Sequence, residues 1–178
     1  MPLQDRKIAI LIGEGVEDLE FFVPYMRLQE EGAHVIAAGI DLNPVHGKKG
    51  LEITPDATVE SLRSEQLFAL VVPGGWAPDK IRRSDRVKEL VREMDRTGKP
   101  IAIICHGGLV AISADIVKGR RATGSLGIKD DLVNAGATWV DQAAFRDDHL
   151  IWGRVVADIP AFCRELVTAL KEQAISQE

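Results

Sequence analysis

The sequence is poor in cysteine, in aromatic rings, in basic excess and in long apolar runs. It has two cysteines in 178 residues. Two thiols build no disulfide framework, and this points to a reducing cytoplasm. Aromatic residues are 5% while hydrophobic residues are 46%, so the interior must be filled by Val, Ile, Leu and Ala. Lys plus Arg is 22 against 27 for Asp plus Glu, a net charge of −5. That balance excludes nucleic acid as the main partner, because phosphate binding needs a basic patch. No apolar run approaches the ~20 residues of a membrane-crossing helix. The opening "MPLQDRK" lacks the charged-then-apolar layout of a signal peptide, so no membrane partner is expected. CxxC, HExxH and clustered histidines are missing too, and neither a metal nor another cofactor is expected.

What is present is an alternation of short apolar runs with amphipathic segments. The runs "KIAILIG" (7–13), "HVIAAGI" (34–40), "FALVVPGG" (68–75) and "PIAIIC" (100–105) read as strands buried on both faces. Between them, "EDLEFFVPYMRLQEEG" places Leu19, Phe22, Val23 and Met26 at helical spacing, with Pro24 as a strain on that assignment. "SDRVKELVREMDRTG" puts Val87, Leu90, Val91 and Met94 on one face, Ser84 at the N-cap and Gly98 at the stop. "VHGKKGLEITPDATVES" reads as a small hairpin excursion, and "TWVD" and "HLIWGRV" as short strands. The last helix carries Ile159, Phe162, Cys163, Leu166 and Leu170 on one face, which gives Cys163 a core role. Strands alternating with helices imply an α/β fold of one domain spanning 1–178, a flavodoxin-like three-layer sandwich with a mainly parallel sheet.

Ligand sites in such sheets lie beyond the carboxyl ends of the strands. Three segments end there: "GEGVED", "PGGWAPD" and "CHGG". Doubly wound order places the third strand between the first and fourth, so these loops converge. Cys105 then sits where a strand turns sharply into a helix, as in a nucleophile elbow. A helix start at that point would pull the thiol below its usual ~8.5. The alternative is a small buried hydrophobe. His106 offers its backbone N–H as one arm of an oxyanion hole, and its ring is expected to point away from the sulfur. Gly74 and Gly75 bring further N–H groups. Gly107 and Gly108 permit close approach of substrate. One of the acids at 14, 17, 18 and 20 can meet the thiol, and a protonated carboxyl there would donate to the thiolate. Glu14, Asp18 and Glu20 are read instead as decoration of the helix N-terminus. Trp76 is expected at the pocket rim.

"EGVEDLEF", "VVPGGWAPDKIR", "GKPIAIICHGG" and "GIKDDLVNAGATWVD", taken in order, resemble the DJ-1/PfpI superfamily, closest to its PfpI-type intracellular protease and general stress protein branch. The resemblance covers roughly residues 7 to 170. It implies a class I glutamine amidotransferase-like sandwich, a homo-oligomer, and a stress-related enzyme with Cys105 as nucleophile. By motif position, Glu17 matches the glutamate that hydrogen-bonds the sulfur, and Gly75 and His106 match the oxyanion donors. His106 also matches the second member of a triad whose third member comes from a neighbouring subunit, here Asp79. Asp79 is one methylene shorter than the family's glutamate. Gly108 stands where proline is usual, and Ser125 and Leu126 stand where a tyrosine and a proline are usual, which implies a roomier, less aromatic pocket. The resemblance offers glyoxalase or deglycase action on small carbonyls and their adducts. Its alternatives are peptide hydrolysis and redox sensing through Cys105 oxidation.

Overall fold

The computed structural model describes residues 1–177. The strands are β1 (Lys7–Leu11), β2 (His34–Gly39), β3 (Val45–His46), β4 (Glu52–Ile53), β5 (Ala57–Thr58), β6 (Ala69–Val72), β7 (Ile101–Ile104), β8 (Arg121–Ala122), β9 (Thr138–Trp139), β10 (Ala144–Asp147) and β11 (Leu150–Gly153). The helices are α1 (Asp18–Glu30), α2 (Ala77–Ile81), α3 (Asp85–Arg96), α4 (Gly108–Ser113), α5 (Lys129–Asn134) and α6 (Ile159–Ser176).

A seven-stranded sheet in the order β10-β11-β7-β6-β1-β2-β5 forms the centre. All its pairs are parallel except β10 with β11. As expected, β6 lies between β1 and β7. Side chains alternate between two cores. Ala9, Leu11, Leu70, Val72, Ile101 and Ile103 face the layer holding α3 and α4. Ile8, Ile10, Ala69, Val71, Ala102 and Ile104 face α1 and α6. Each fully buried aliphatic side chain contributes about 1.5–3 kcal/mol, so these central strands carry much of the stability.

The apolar face expected for α3 is buried in full, and Ser84 Oγ accepts the Val87 N–H at 3.3 Å. The expected face of α6 is buried as well, Cys163 included. The hairpin excursion is the antiparallel β3–β4 pair. The sequence reading omits edge strand β10, whose partly polar "AFRD" lacks a clean alternation.

Helix α1 reverses its expected orientation. Phe21, Pro24 and Leu28 are buried, together with Asp18 and Glu20. Of the expected face, Leu19, Val23 and Met26 are exposed by 46%, 39% and 61%, while Phe22 is half-buried and packs against the core that holds α1 and α6. Both stripes have helical spacing and apolar members, so periodicity alone does not choose between them. Pro24, with no N–H to donate to the preceding turn, is accommodated within the helix.

Candidate active site

The loops after β1, β6 and β7 converge at the carboxyl edge of the sheet and are joined through their backbones. Val16 and Gly75 form an isolated bridge. Glu17 N–H donates to Gly74 O at 3.2 Å, and Trp76 N–H donates to Gly15 O at 2.8 Å. Gly75 has φ +76°, and a Cβ there would run into the backbone of Gly15 and Glu17. Only glycine meets both conditions.

Cys105 leaves the extended backbone of Ile104 with φ +60°. A non-glycine residue in that region is strained, and strain of this kind concentrates at functional sites. A single tight turn follows, and α4 begins at Gly108. The half-buried sulfur thus meets the backbone N–H groups of His106 and Gly75, which both favour the thiolate. The sequence reading assigned these two N–H groups to an oxyanion; here they face the sulfur itself.

Glu20 is the carboxylate against the thiol, and this corrects the assignment of Glu17 to that position. Glu17 precedes the first residue of α1, whereas Glu20 lies on the helix's inner face, one turn before Pro24. Glu20 is fully buried. Its Oε1 accepts the Gly74 N–H at 2.8 Å. Its carboxyl and the Cys105 thiol form a side-chain pair. Burial pushes Glu20 up to about 7, with the Glu17 charge adding to the shift and the Gly74 N–H opposing it. Oε2 is buried without an oxygen or nitrogen partner. A protonated carboxyl, which donates, suits that place better than a carboxylate.

The lowered thiol expected at a helix start is overturned. Burial pushes Cys105 up to about 12, with the Glu20 charge as the second cause. The second cause vanishes once Glu20 holds the proton. Transfer of the proton from sulfur to Glu20 removes that repulsion and leaves a neutral carboxyl beside the thiolate.

The His106 ring does not point away from its neighbour, as its Nδ1 lies 3.5 Å from Cys105 Sγ. Burial, and then the nearby Lys48 charge, holds the imidazole below its usual range. Gly74 is not an oxyanion donor, because its N–H is committed to Glu20. Gly107 does not face substrate either. A Cβ there would meet the carbonyl of Val72, and one at Gly108 would meet Ile128. These glycines let the elbow pack on β6 and α5. Asp79 lies exposed on α2, outside the cavity.

The cavity over the sulfur holds about 450 Å³ and is lined by Glu17, Glu20, Lys48, Gly75, Trp76, Cys105, His106, Ser125 and the 155–157 segment. Trp76 stands at its rim, 61% exposed. Glu20, Lys48 and the 155–157 segment are the members that sequence reasoning missed. Glu20 was legible as the i−4 neighbour of Pro24 on the second apolar stripe. Lys48 comes from the β3–β4 turn and had no signal beyond the flanking glycines. Among the described residues, no group of three or more His, Cys, Asp or Glu side chains is arranged to hold a metal ion. No helix there is long and apolar enough to cross a membrane.

A parallel α/β sandwich that presents a strained cysteine to two backbone N–H donors and a buried carboxyl is the arrangement of a cysteine-dependent enzyme. The chain belongs to the DJ-1/PfpI family, whose pattern matches residues 6–169. It is 41% identical over 165 residues to "Deglycase PH1704" of Pyrococcus horikoshii, covering 93% of this chain and 99% of that one. It is 38% identical over 168 residues to "Protein/nucleic acid deglycase 2" of Escherichia coli, covering 93% and 98%. A solved two-domain protein from Anabaena variabilis, with DJ-1/ThiJ/PfpI-like and ferritin-like domains, superposes with TM-score 0.92 at 38% identity. That match covers 93% of this chain and 48% of the other, so this chain spans about half of it.

Proposed function

We propose that this chain is a stress-related cysteine enzyme acting on small reactive carbonyls or their adducts, in the manner of a glyoxalase or deglycase. The observation that carries this reading is the Glu20–Cys105 pair beneath two convergent N–H donors. As Sγ attacks a carbonyl carbon, its proton passes to Glu20, which is poised at about 7, near the pH at which a general base is most effective. The carbonyl π bond becomes an oxyanion held by the N–H groups of Gly75 and His106. The product is a thiohemiacetal. The C–H proton of the attacked carbon then moves by way of an enediol to the neighbouring carbonyl carbon of a dicarbonyl. One carbon is thereby oxidised and the other reduced, and the adduct becomes an α-hydroxy thioester. Water attacks this thioester, the carbon–sulfur bond breaks, the sulfur regains its proton and the α-hydroxy acid leaves. Two relatives that carry deglycase names support the substrate class.

A peptidase reading rests on the 3.5 Å approach of His106 Nδ1 to the sulfur. It needs a third member to orient the imidazole. Asp79, exposed on α2, serves only if a second copy brings it to His106. We infer a homo-oligomer in a cytoplasmic setting, for which the exposed ridge Leu19, Val23 and Met26 offers an apolar surface.

The test is incubation with methylglyoxal while its loss and the formation of lactate are followed, beside a Cys105→Ala control. Lactate that depends on Cys105 is expected. Equal turnover by the alanine variant overturns the mechanism.

A further inference from the structure

The β3–β4 turn is secured by more bonds than a surface excursion needs. Asp18 is 2% exposed, and its carboxylate is spent on this turn. It accepts the Lys49 N–H at 2.6 Å and the Leu51 N–H at 2.9 Å. Lys48 N–H donates to Val16 O at 2.7 Å, and Gly47 N–H donates to Leu51 O at 2.8 Å. A Cβ on Gly47 would collide with the Asp18 carboxylate. Burying a carboxylate is costly unless backbone donors compensate it, as they do here. The residue carried by this rigid turn is Lys48, which lines the cavity over Cys105.

The Lys48 ammonium is incompletely satisfied. The carboxylate nearest to it, Glu17 Oε2, lies at 3.9 Å, beyond hydrogen-bond length. Its other recorded neighbour is the Trp76 ring, 5.6 Å from the ring centre. Lys48 has 35% of its side chain exposed, so three N–H donors remain open toward the cavity and solvent. Among the described residues, no other lysine or arginine lines that cavity. Its electrostatic reach extends to the reacting groups, since its charge also acts on Glu20 and His106.

We propose that Lys48, positioned by Asp18, is a specificity-determining residue that binds a carboxylate or comparable anionic group on the molecule Cys105 attacks. Within the carbonyl-addition reading, on which this inference builds, the favoured electrophiles carry an anion beside the reacting carbon. Such a group gives the ammonium the short charge-assisted bond that Glu17 does not supply. It also places the electrophile between the cation and the sulfur.

The experiment requires no turnover, so it stands or falls apart from the enzymatic reading. Cys105 is alkylated with iodoacetate and, separately, with iodoacetamide. In each case Sγ displaces iodide and forms a carbon–sulfur bond. The two reagents are similar in size and differ in charge, and both react with the same thiolate. The ratio of their rates therefore cancels any change in thiolate fraction. In Lys48→Met the iodoacetate-to-iodoacetamide ratio is expected to fall about fivefold or more, with the larger effect at low ionic strength. Lys48→Arg retains the ratio. Asp18→Asn, which keeps Lys48 but loosens its turn, lowers the ratio part of the way. If Lys48→Met leaves the ratio within twofold of the parent, or slows both reagents equally, the proposal is wrong. Should Asp18→Asn fail to fold, the Lys48 variants alone decide the anion-binding role.

Discussion

Glu20 and Cys105 form a buried carboxyl–thiol pair in which a single proton has two places to sit. Glu20 is tied to the Gly74 N–H, 54 residues away in the chain, and this fixes its carboxyl beside the sulfur. If Glu20 accepts the thiol proton, turnover rises with pH through about 7, where Glu20 ionises. Glu20→Gln is expected to lower kcat about 10²–10⁴-fold and to remove that rising limb. A pH–rate profile of the variant that still climbs through the same region assigns the base elsewhere.

The same group makes stability depend on pH. Glu20 is raised from 4.5 to about 7 on folding, so between those values the native state holds a proton that the unfolded chain has released. Its stabilising contribution is complete below about pH 4.5 and is lost as pH rises through about 7. The shift corresponds to about 3 kcal/mol at 1.36 kcal/mol per unit. Glu20→Gln keeps an acceptor for Gly74 and cannot ionise. Its stability relative to the parent should therefore improve from pH 5 to pH 8 by up to that amount. Denaturant midpoints at both pH values measure it, and parallel behaviour of the two proteins refutes it.

The elbow has no room for one more methyl group. At Gly107 a Cβ would press on the Val72 carbonyl, and at Gly74 it would press on Glu20, Cys105 and the His106 amide. Gly107→Ala is expected to cost about 1–3 kcal/mol through forced backbone shifts, read as a lowered Tm. Gly74→Ala should in addition slow alkylation of Cys105, because it displaces the thiol's own neighbours. An unchanged Tm in Gly107→Ala contradicts the packing described for the elbow.

The outward stripe of α1 supplies a test of assembly. Val23→Glu combined with Met26→Lys places charge on a surface that is now apolar, away from the catalytic cavity. The parent should elute as a multiple of 19.5 kDa, and the double variant as a monomer in light scattering. A monomeric parent removes the role assigned to this ridge.

The β–α alternation, the adjacency of β1, β6 and β7, and the elbow at Cys105 were all legible in the sequence. Each rests on continuous apolar runs or on Gly-rich turns, whose physical meaning is local. The side of α1 that turns inward was not legible, because Leu19–Val23–Met26 and Phe21–Pro24–Leu28 are equally apolar. The thiol's partner was assigned to Glu17 by motif position, because "EGVEDLE" holds several acids and the motif alone does not say which of them turns inward. The state of the thiol was missed for a related reason: burial is a property of the assembled fold, and here it outweighs the turn's backbone donors. Lys48 was beyond reach because its place depends on Asp18 gripping a turn some thirty residues away.

The backbone bridge between Val16 and Gly75 gives the site a temporal character. Sulfur, carboxyl and amide donors are drawn from segments that meet only when the central parallel strands have paired, and such non-local pairings are slow to form. Until then Cys105 has neither Glu20 nor the Gly75 N–H beside it, so the proton acceptor and the oxyanion donors of Gly75 and His106 come together only with the complete sheet.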